Sequence, residues 1–370
     1  MGRVLRYGCP EDAGMSSDRL KEADKLIRRA ISEGAFPGAV FLIARSGVIV
    51  MHRAYGRAVS VIEDQRPMTP DTIFDLGSIT KPVATATSAM ILLERGRLML
   101  RDPVSRYIPE YAGNGRDDVT IHNLLTHTSG LPAWKPLYER CRSREDFLRQ
   151  ICNMELEHPP GSKVVYSCLG FMLLTFIIER VVGESLASYS KRMIFKPLGM
   201  EDTQFNPPKS LRDRIAATEL CSWRKRLLIG EVHDENAFAM GGVSGNAGLF
   251  STAKDLAIFS QMLLNMGDYG GRRILSPLTV RLMTRNHTKG LNEPRGLGWA
   301  LISEGSSAGE LLSQSTFGHT GFPGCSLWID PEEELMIILL TNRVHPSREN
   351  EAIHRIRPVF HNIIASSIVD

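Results

Sequence analysis

Strand-patterned segments at both ends of the chain, a block of helical pattern between them, and amphipathic helices at the two extremities predict an α+β fold. The expected architecture is an α/β sandwich: an antiparallel β-sheet flanked by the N- and C-terminal helices, with an inserted all-helical domain. Residues 17–33 place Leu20, Ala23, Leu26, Ile27 and Ala30 on one helical face. Residues 38–44 and 48–54 are β-rich and meet at the turn-like Ser46-Gly47, so they read as a hairpin. From Ser78 to about Pro208 the pattern is mostly helical, at 78–95, 120–126, 144–154, 168–182 and 185–196, with Gly- and Pro-rich connections. Beyond Asp255, helices reach Met266 and cover 276–285. Strands return at 298–302, 315–319, 324–329 and 335–341, and a last helix spans about 348–366. The implied division is residues 1–77 with 209–370 for the sheet domain and 78–208 for the helical insert. The cleft between them is the expected ligand site.

Composition narrows the function. With 43% hydrophobic and 23% charged residues in 370, this is an ordinary globular chain able to bury a large core. A formal net charge of +3 with both signs interspersed gives no nucleic-acid footprint, and Arg224–Arg226 is too short to make one. Cysteines 9, 141, 152, 168, 221 and 325 are scattered without a Cys-x-x-Cys pair, so neither a zinc site nor a disulfide framework is expected. The first residues lack the apolar core of a signal peptide, and the longest apolar run, Phe171–Ile178, is far too short to span a bilayer. A cytoplasmic, reduced protein without a membrane span or cofactor is the expectation.

The most informative stretch is Phe74-Asp75-Leu76-Gly77-Ser78-Ile79-Thr80-Lys81-Pro82, followed by a small, apolar run to Leu93. Positions i and i+3 of a helix share a face, so the Lys81 ammonium can reach the Ser78 hydroxyl. The helix N-terminus adds partial positive charge and free N–H groups beside the serine. Ser-x-x-Lys occurs four times, however, and three occurrences have plainer readings. Ser188/Lys191 lies on a polar helix face, Ser222/Lys225 in a basic surface run, and Ser251/Lys254 where Thr252 and Asp255 form a capping box. Only Ser78 leads into more than two turns of buried-looking helix; its own plain reading is an N-cap serine.

Two further motifs follow: Tyr166-Ser167-Cys168, after the turn-like Pro159-Pro160-Gly161-Ser162, and His319-Thr320-Gly321. This order of three motifs resembles the serine β-lactamase and penicillin-binding-protein superfamily, most closely its class C, D-peptidase and family VIII esterase-like branch. The resemblance covers nearly the whole chain, including Glu11–Ser16, Leu124-Leu125-Thr126-His127-Thr128-Ser129-Gly130-Leu131-Pro132 and Gly248–Leu256. It implies a serine hydrolase working through a Ser78 acyl-enzyme on a small ester or amide, and open to acylation by β-lactams. It also implies an oxyanion hole from the N–H groups of Ser78 and Phe322.

A serine hydroxyl needs a partner to take its proton, and two candidates converge. A charged Lys81 would favour tyrosinate at Tyr166; a lysine depressed by burial would itself be the base. Tyr166 is also the candidate for protonating the leaving group and activating the deacylating water. Gly321 would let the edge strand approach substrate without a Cβ. By the resemblance, Thr320 and His319 line the substrate, with His319 where a lysine is usual, and Cys168 stands where an asparagine amide usually helps hold the substrate. A thiol is a weak donor and acceptor. Both departures tilt the expectation away from efficient β-lactam turnover.

His127 reads as structural, bridging backbone groups of its turn. The run His233-Asp234-Glu235 reads as a polar turn rather than a metal site, since adjacent side chains do not converge. It resembles a subgroup with cell-wall D-peptidases and muropeptide amidases, which makes peptidoglycan fragments the alternative substrate. A third reading, a catalytically silent ligand-binding module, sits badly with an intact Ser78, Lys81, Tyr166 and His-Thr-Gly set.

Overall fold

In the computed structural model, which describes residues 2–113 and 115–370, both ends of the chain contribute to one seven-stranded sheet. Its strands are β1 (Arg6–Tyr7), β2 (Gly38–Arg45), β3 (Val48–Gly56), β4 (Ala300–Leu301), β5 (Phe317–Gly321), β6 (Cys325–Asp330) and β7 (Leu335–Thr341). Their spatial order is β1-β3-β2-β7-β6-β5-β4. Strands β2 and β7 pair over their whole length, Ala39–Arg45 against Leu335–Thr341, and so join the two ends of the sequence. All neighbours are antiparallel except β1 and β3, which run parallel. This corrects the all-antiparallel expectation at one edge.

Strands β2 and β7 are apolar at nearly every position because both sheet faces are covered. Helices α1 (Ser17–Ser32) and α5 (Ile353–Ala365) lie on one face. There Leu20, Ile27 and Phe360 meet Phe41, Ile43, Trp328, Ile337 and Leu339. On the other face Val40, Leu42, Leu327, Ile338 and Leu340 belong to a second apolar cluster that continues into the central helices. Each fully buried Leu, Ile or Phe contributes about 1.5–3 kcal/mol. Between the sheet halves come α2 (Thr87–Glu94), α3 (Cys168–Val182) and α4 (Ala253–Leu264). No helix of the described residues is long and apolar enough to cross a membrane.

Several segments differ from the sequence reading. Residues 78–95 are not one regular helix: a 3₁₀ turn at Gly77–Ile79 leads into a π-helical turn at Lys81–Ala86, then α2. Pro82 has no N–H to give, and the Thr87 hydroxyl donates to the Pro82 carbonyl at 2.8 Å, so the ladder widens there. The last helix starts at Ile353 rather than 348. Arg343 draws the carbonyls of Arg348 (3.0 Å) and Asn350 (2.9 Å) out of any helical ladder. Thr252 caps α4 by accepting the Asp255 N–H at 3.2 Å, but the reciprocal half of a capping box is missing. Instead Asp255 turns to Thr203 and the Asp202 N–H, and burial pushes its carboxyl up to about 6. A short strand at Phe74–Asp75 was not foreseen; it pairs with Leu249–Ser251 and fixes the approach to Ser78.

Candidate active site

The turn that carries Ser78 is held from below by Asp75. This buried carboxylate accepts the N–H groups of Gly77 (2.9 Å) and His233 (2.6 Å). Burial raises its pKa, and the two N–H bonds offset part of that. Gly77 sits at φ +51°, and a Cβ there would lie 2.6 Å from Pro323 Cδ and 3.1 Å from Phe322 N. At Gly321 a Cβ would lie 2.1 Å from the Leu76 carbonyl oxygen. Two glycines thus let the end of β5 press against the serine turn. The backbone of Phe322 is thereby brought beside that of Ser78.

Lys81 is fully buried, and its ammonium has three acceptors: Ser78 Oγ at 2.9 Å, the Asn246 carbonyl at 3.0 Å and Cys168 Sγ at 3.6 Å. Burial alone would lower its pKa; Cys168 and Tyr166, when ionised, outweigh that and raise it above the ordinary lysine value. The Tyr166 ring centroid is 4.8 Å from Lys81 Nζ. Burial raises the Tyr166 phenol, with the Lys81 charge pulling back only part of the shift. Burial likewise raises the Cys168 thiol. Burial thus favours the neutral phenol and thiol, and the ammonium is held by its three hydrogen-bond acceptors.

Tyr166 is placed by the start of α3. Ser167 caps that helix through the Gly170 N–H (3.4 Å), and its hydroxyl donates to the Pro132 carbonyl (2.7 Å). The Ser167 N–H donates to His127 Nδ1 at 3.0 Å, which leaves His127 protonated on Nε2. Its own carbonyl accepts the Val165 N–H at 2.9 Å. His127 adopts φ +58°, and its ring packs 4.6 Å from that of Tyr166. It bridges backbone groups, as its turn implied, and also buttresses the tyrosine.

His319 lies on β5 and is 3% exposed, with Nδ1 donating to the Thr320 carbonyl at 2.7 Å. Burial, then the charges of Lys81 and Arg295, hold its pKa well below the usual histidine value, so it is neutral. Thr320, Gly321 and the half-exposed Phe322 line the same cleft as Ser78, Tyr166 and Cys168. Every residue singled out as catalytic or substrate-contacting in the sequence thus lines or abuts one cavity of about 1150 Å³.

The His233-Asp234-Glu235 run sends its side chains apart. His233 Nε2 meets Glu219 at 3.1 Å, Asp234 caps a short helix through the Ala237 N–H (2.7 Å), and Glu235 pairs with Arg348 at 2.6 Å. Burial would raise Glu219, but His233 and Arg348 bring it to about 2. The His233 ring stacks on Phe322, 5.5 Å between centroids, so this ion network steadies the residue that follows the His-Thr-Gly motif.

Three contributors escaped the sequence reading. Asn246 supplies a carbonyl to Lys81 from a glycine-rich run with no periodicity to flag it. Asp75 stands inside the Ser78 motif stretch, but nothing in the sequence links it to the His233 N–H it accepts, 158 positions away. Arg295, 7% exposed, stands 5.4 Å over the Tyr166 ring; nothing in its local sequence marks it.

Comparison with known proteins agrees with this geometry. The family model described as Beta-lactamase matches residues 23–359. The chain belongs to the beta-lactamase family. It is a serine hydrolase of the β-lactamase and penicillin-binding-protein superfamily, as its three ordered motifs anticipated. A "Putative D-alanyl-D-alanine carboxypeptidase" of Escherichia coli (strain K12) is 35% identical, over 92% of this chain and 86% of the relative. A protein of the same name from Salmonella agona is 34% identical, over 95% and 89%. Among solved structures, EstCE1, "a hydrolase with promiscuous acyltransferase activity", superposes with a TM-score of 0.75 at 26% identity, covering 95% of this chain and 98% of that one. The octameric penicillin-binding protein homologue from Pyrococcus abyssi gives 0.74 at 26%, covering 94% and 76%.

Proposed function

We propose that this family member cleaves a small ester or amide through an acyl-enzyme on Ser78. The observation that carries the reading is the buried Lys81 ammonium, 2.9 Å from Ser78 Oγ with its other contacts on Asn246 and Cys168. Lys81 holds and polarises the serine. Once the Lys81–Tyr166 pair, whose titration belongs to both groups, has released one proton to solvent, it accepts the proton leaving Ser78. Tyr166 returns it to the leaving group and then deprotonates the deacylating water. The N–H groups of Ser78 and Phe322 stabilise the oxyanion, an arrangement supported by the contact of Gly77 with the Phe322 backbone. His319, Thr320 and Cys168 face the substrate; a neutral His319 gives that side no fixed charge.

A second reading, a peptidoglycan fragment ending in D-alanine, is favoured by the names of the relatives at 34–36% identity. We take residues 1–77 with 209–370 as one domain and 78–208 as the other, with the cleft between them. The division is supported by a lining drawn from Trp134, Tyr166 and Cys168 on one side and His319–Phe322 on the other. Six unpaired cysteines support a reducing, cytoplasmic setting, and the balanced charge supports small molecules rather than nucleic acid as partners.

The test is release of p-nitrophenol from p-nitrophenyl butyrate, and of D-alanine from a peptide ending D-Ala-D-Ala, by wild type and Ser78→Ala. Turnover of either substrate that vanishes in the variant is expected. Equal rates in both proteins would remove Ser78 from the chemistry.

A further inference from the structure

Tyr166 is gripped from two sides. On one, the His127 ring packs with its centroid 4.6 Å away. On the other lies the segment 286–295, which precedes β4. Asn292 fastens that segment to the stretch before Tyr166, accepting the Val164 N–H at 2.9 Å and donating to the Val164 carbonyl at 3.1 Å. Thr288 closes the segment on itself. Its hydroxyl accepts the Arg295 N–H at 2.8 Å and donates to the Glu293 carbonyl at 2.7 Å. Arg295, 7% exposed, is thereby set with its guanidinium 5.4 Å from the Tyr166 ring centroid.

Arg295 is sparingly bonded. Its Nη2 meets Glu293 at 2.6 Å, and the Glu293 side chain is 38% exposed, so water screens much of that pair. Its buried Nε has no partner. The other groups around the ring are the Lys81 ammonium 4.8 Å from its centroid, the Cys168 thiol beside Lys81, and the rings of His127 and His319, the latter at 5.9 Å. Both histidines are held neutral by burial, with the charges of Arg295 and Lys81 adding to it. A charge that opposes a proton on two neighbours of Tyr166 also favours loss of the proton from the phenol. The face of an aromatic ring attracts a cation, and a phenolate adds a full charge to that attraction.

We propose that Arg295 is a positioning residue for Tyr166: stacked on the ring, it holds the phenol in place and supplies, with Lys81, the second positive charge that favours its phenolate. This role rests on the acyl-enzyme reading, in which Tyr166 gives a proton to the leaving group and takes one from water. Lys81 serves the serine and the tyrosine together; Arg295 serves the tyrosine alone.

The experiment records kcat/KM for p-nitrophenyl butyrate from pH 6 to 10 in wild type, Arg295→Met, Arg295→Lys and Glu293→Gln, and in Tyr166→Phe with and without Arg295→Met. The charge on Tyr166 is followed without turnover by NMR of protein whose tyrosines carry carbon-13 at Cζ; the Tyr166 line is the one missing from Tyr166→Phe. Arg295→Met is expected to lower kcat/KM at pH 8 by about 3- to 30-fold, mostly through kcat. It should also move the alkaline rise in rate and the titration of the Tyr166 line upward by about one pH unit. Arg295→Lys should restore most of both. Glu293→Gln, which strips the counter-charge, should move them the other way. In the Tyr166→Phe background, Arg295→Met should cost less than about twofold. A wild type without turnover, or a rate that survives Ser78→Ala, would sink the acyl-enzyme reading, while the Tyr166 line still decides on Arg295. A Tyr166 line unmoved by both Arg295→Met and Glu293→Gln would overturn the proposal, as would an equal loss from Arg295→Met with and without Tyr166. If Arg295→Met does not fold, Glu293→Gln decides alone.

Discussion

Two buried cations stand beside one cleft, and their surroundings are opposite. The Lys81 ammonium has three acceptors within the chain, one of them the hydroxyl of Ser78. The Arg357 guanidinium has a single carbonyl and a bare Nε. A buried charge is tolerated when hydrogen bonds replace its water, and costs several kcal/mol when they do not. Lys81 is thus complete before substrate arrives, as a group that must hold a serine in readiness should be. Arg357 keeps only the Cys325 carbonyl and leaves its Nε unpaired. The contrast separates a buried charge that the chain pairs fully from one that it pairs only in part.

Exchanging each cation for methionine should break this symmetry most visibly. Lys81→Met removes the proton relay and leaves the Asn246 carbonyl unpaired; ester turnover is expected to fall by about 10⁴-fold or more. A Lys81→Met enzyme within tenfold of wild type would move the base elsewhere. Tyr166→Phe comes next. Loss of a positioned acid–base group costs about 10²–10⁴-fold, and stopped-flow should show a burst of p-nitrophenol followed by slow turnover, because acylation survives better than deacylation. A uniform slowing without a burst would take the deacylation role from Tyr166.

The smallest effect is a pH dependence. Lys81 and Tyr166 both have raised pKa values, so near neutrality the site carries one proton more than the reaction can use. Deprotonation is favoured as pH rises, and kcat/KM is expected to climb from pH 7 toward 9. His319 and His127 are held well below the ordinary histidine value, so no inflection near 6.5 should come from them. A rate that instead inflects near 6.5, and loses that inflection in His319→Asn, would make His319 the titrating base.

Much of this was legible in the chain because periodic burial leaves a periodic trace. Cys168–Val182 and Leu335–Thr341 were read with the boundaries they have, since both are continuous apolar runs bounded by Ser167 and Gly183 or by charged and polar residues. The motif residues Ser78, Lys81 and Tyr166 were legible because their order and spacing are chemical requirements. Asn246, Asp75, Arg295 and Arg357 were not. Each acts through a contact between elements distant in sequence, such as the Asn246 carbonyl with Lys81, 165 positions away, and local pattern carries no record of that. The π-helical turn at Lys81–Ala86 was hidden for a different reason. After Lys81 its residues are small and mostly apolar, and a widened ladder buries the same side chains as a regular one.

The central claim is the covalent bond on Ser78, and the direct measurement is mass mapping of the acyl group. Tyr166→Phe quenched during p-nitrophenyl butyrate turnover should carry one butyryl group, on the peptide containing Ser78. The Ser78→Ala/Tyr166→Phe double variant should carry none. A butyryl group on any other residue, or sustained turnover with no adduct at Ser78, would contradict the account.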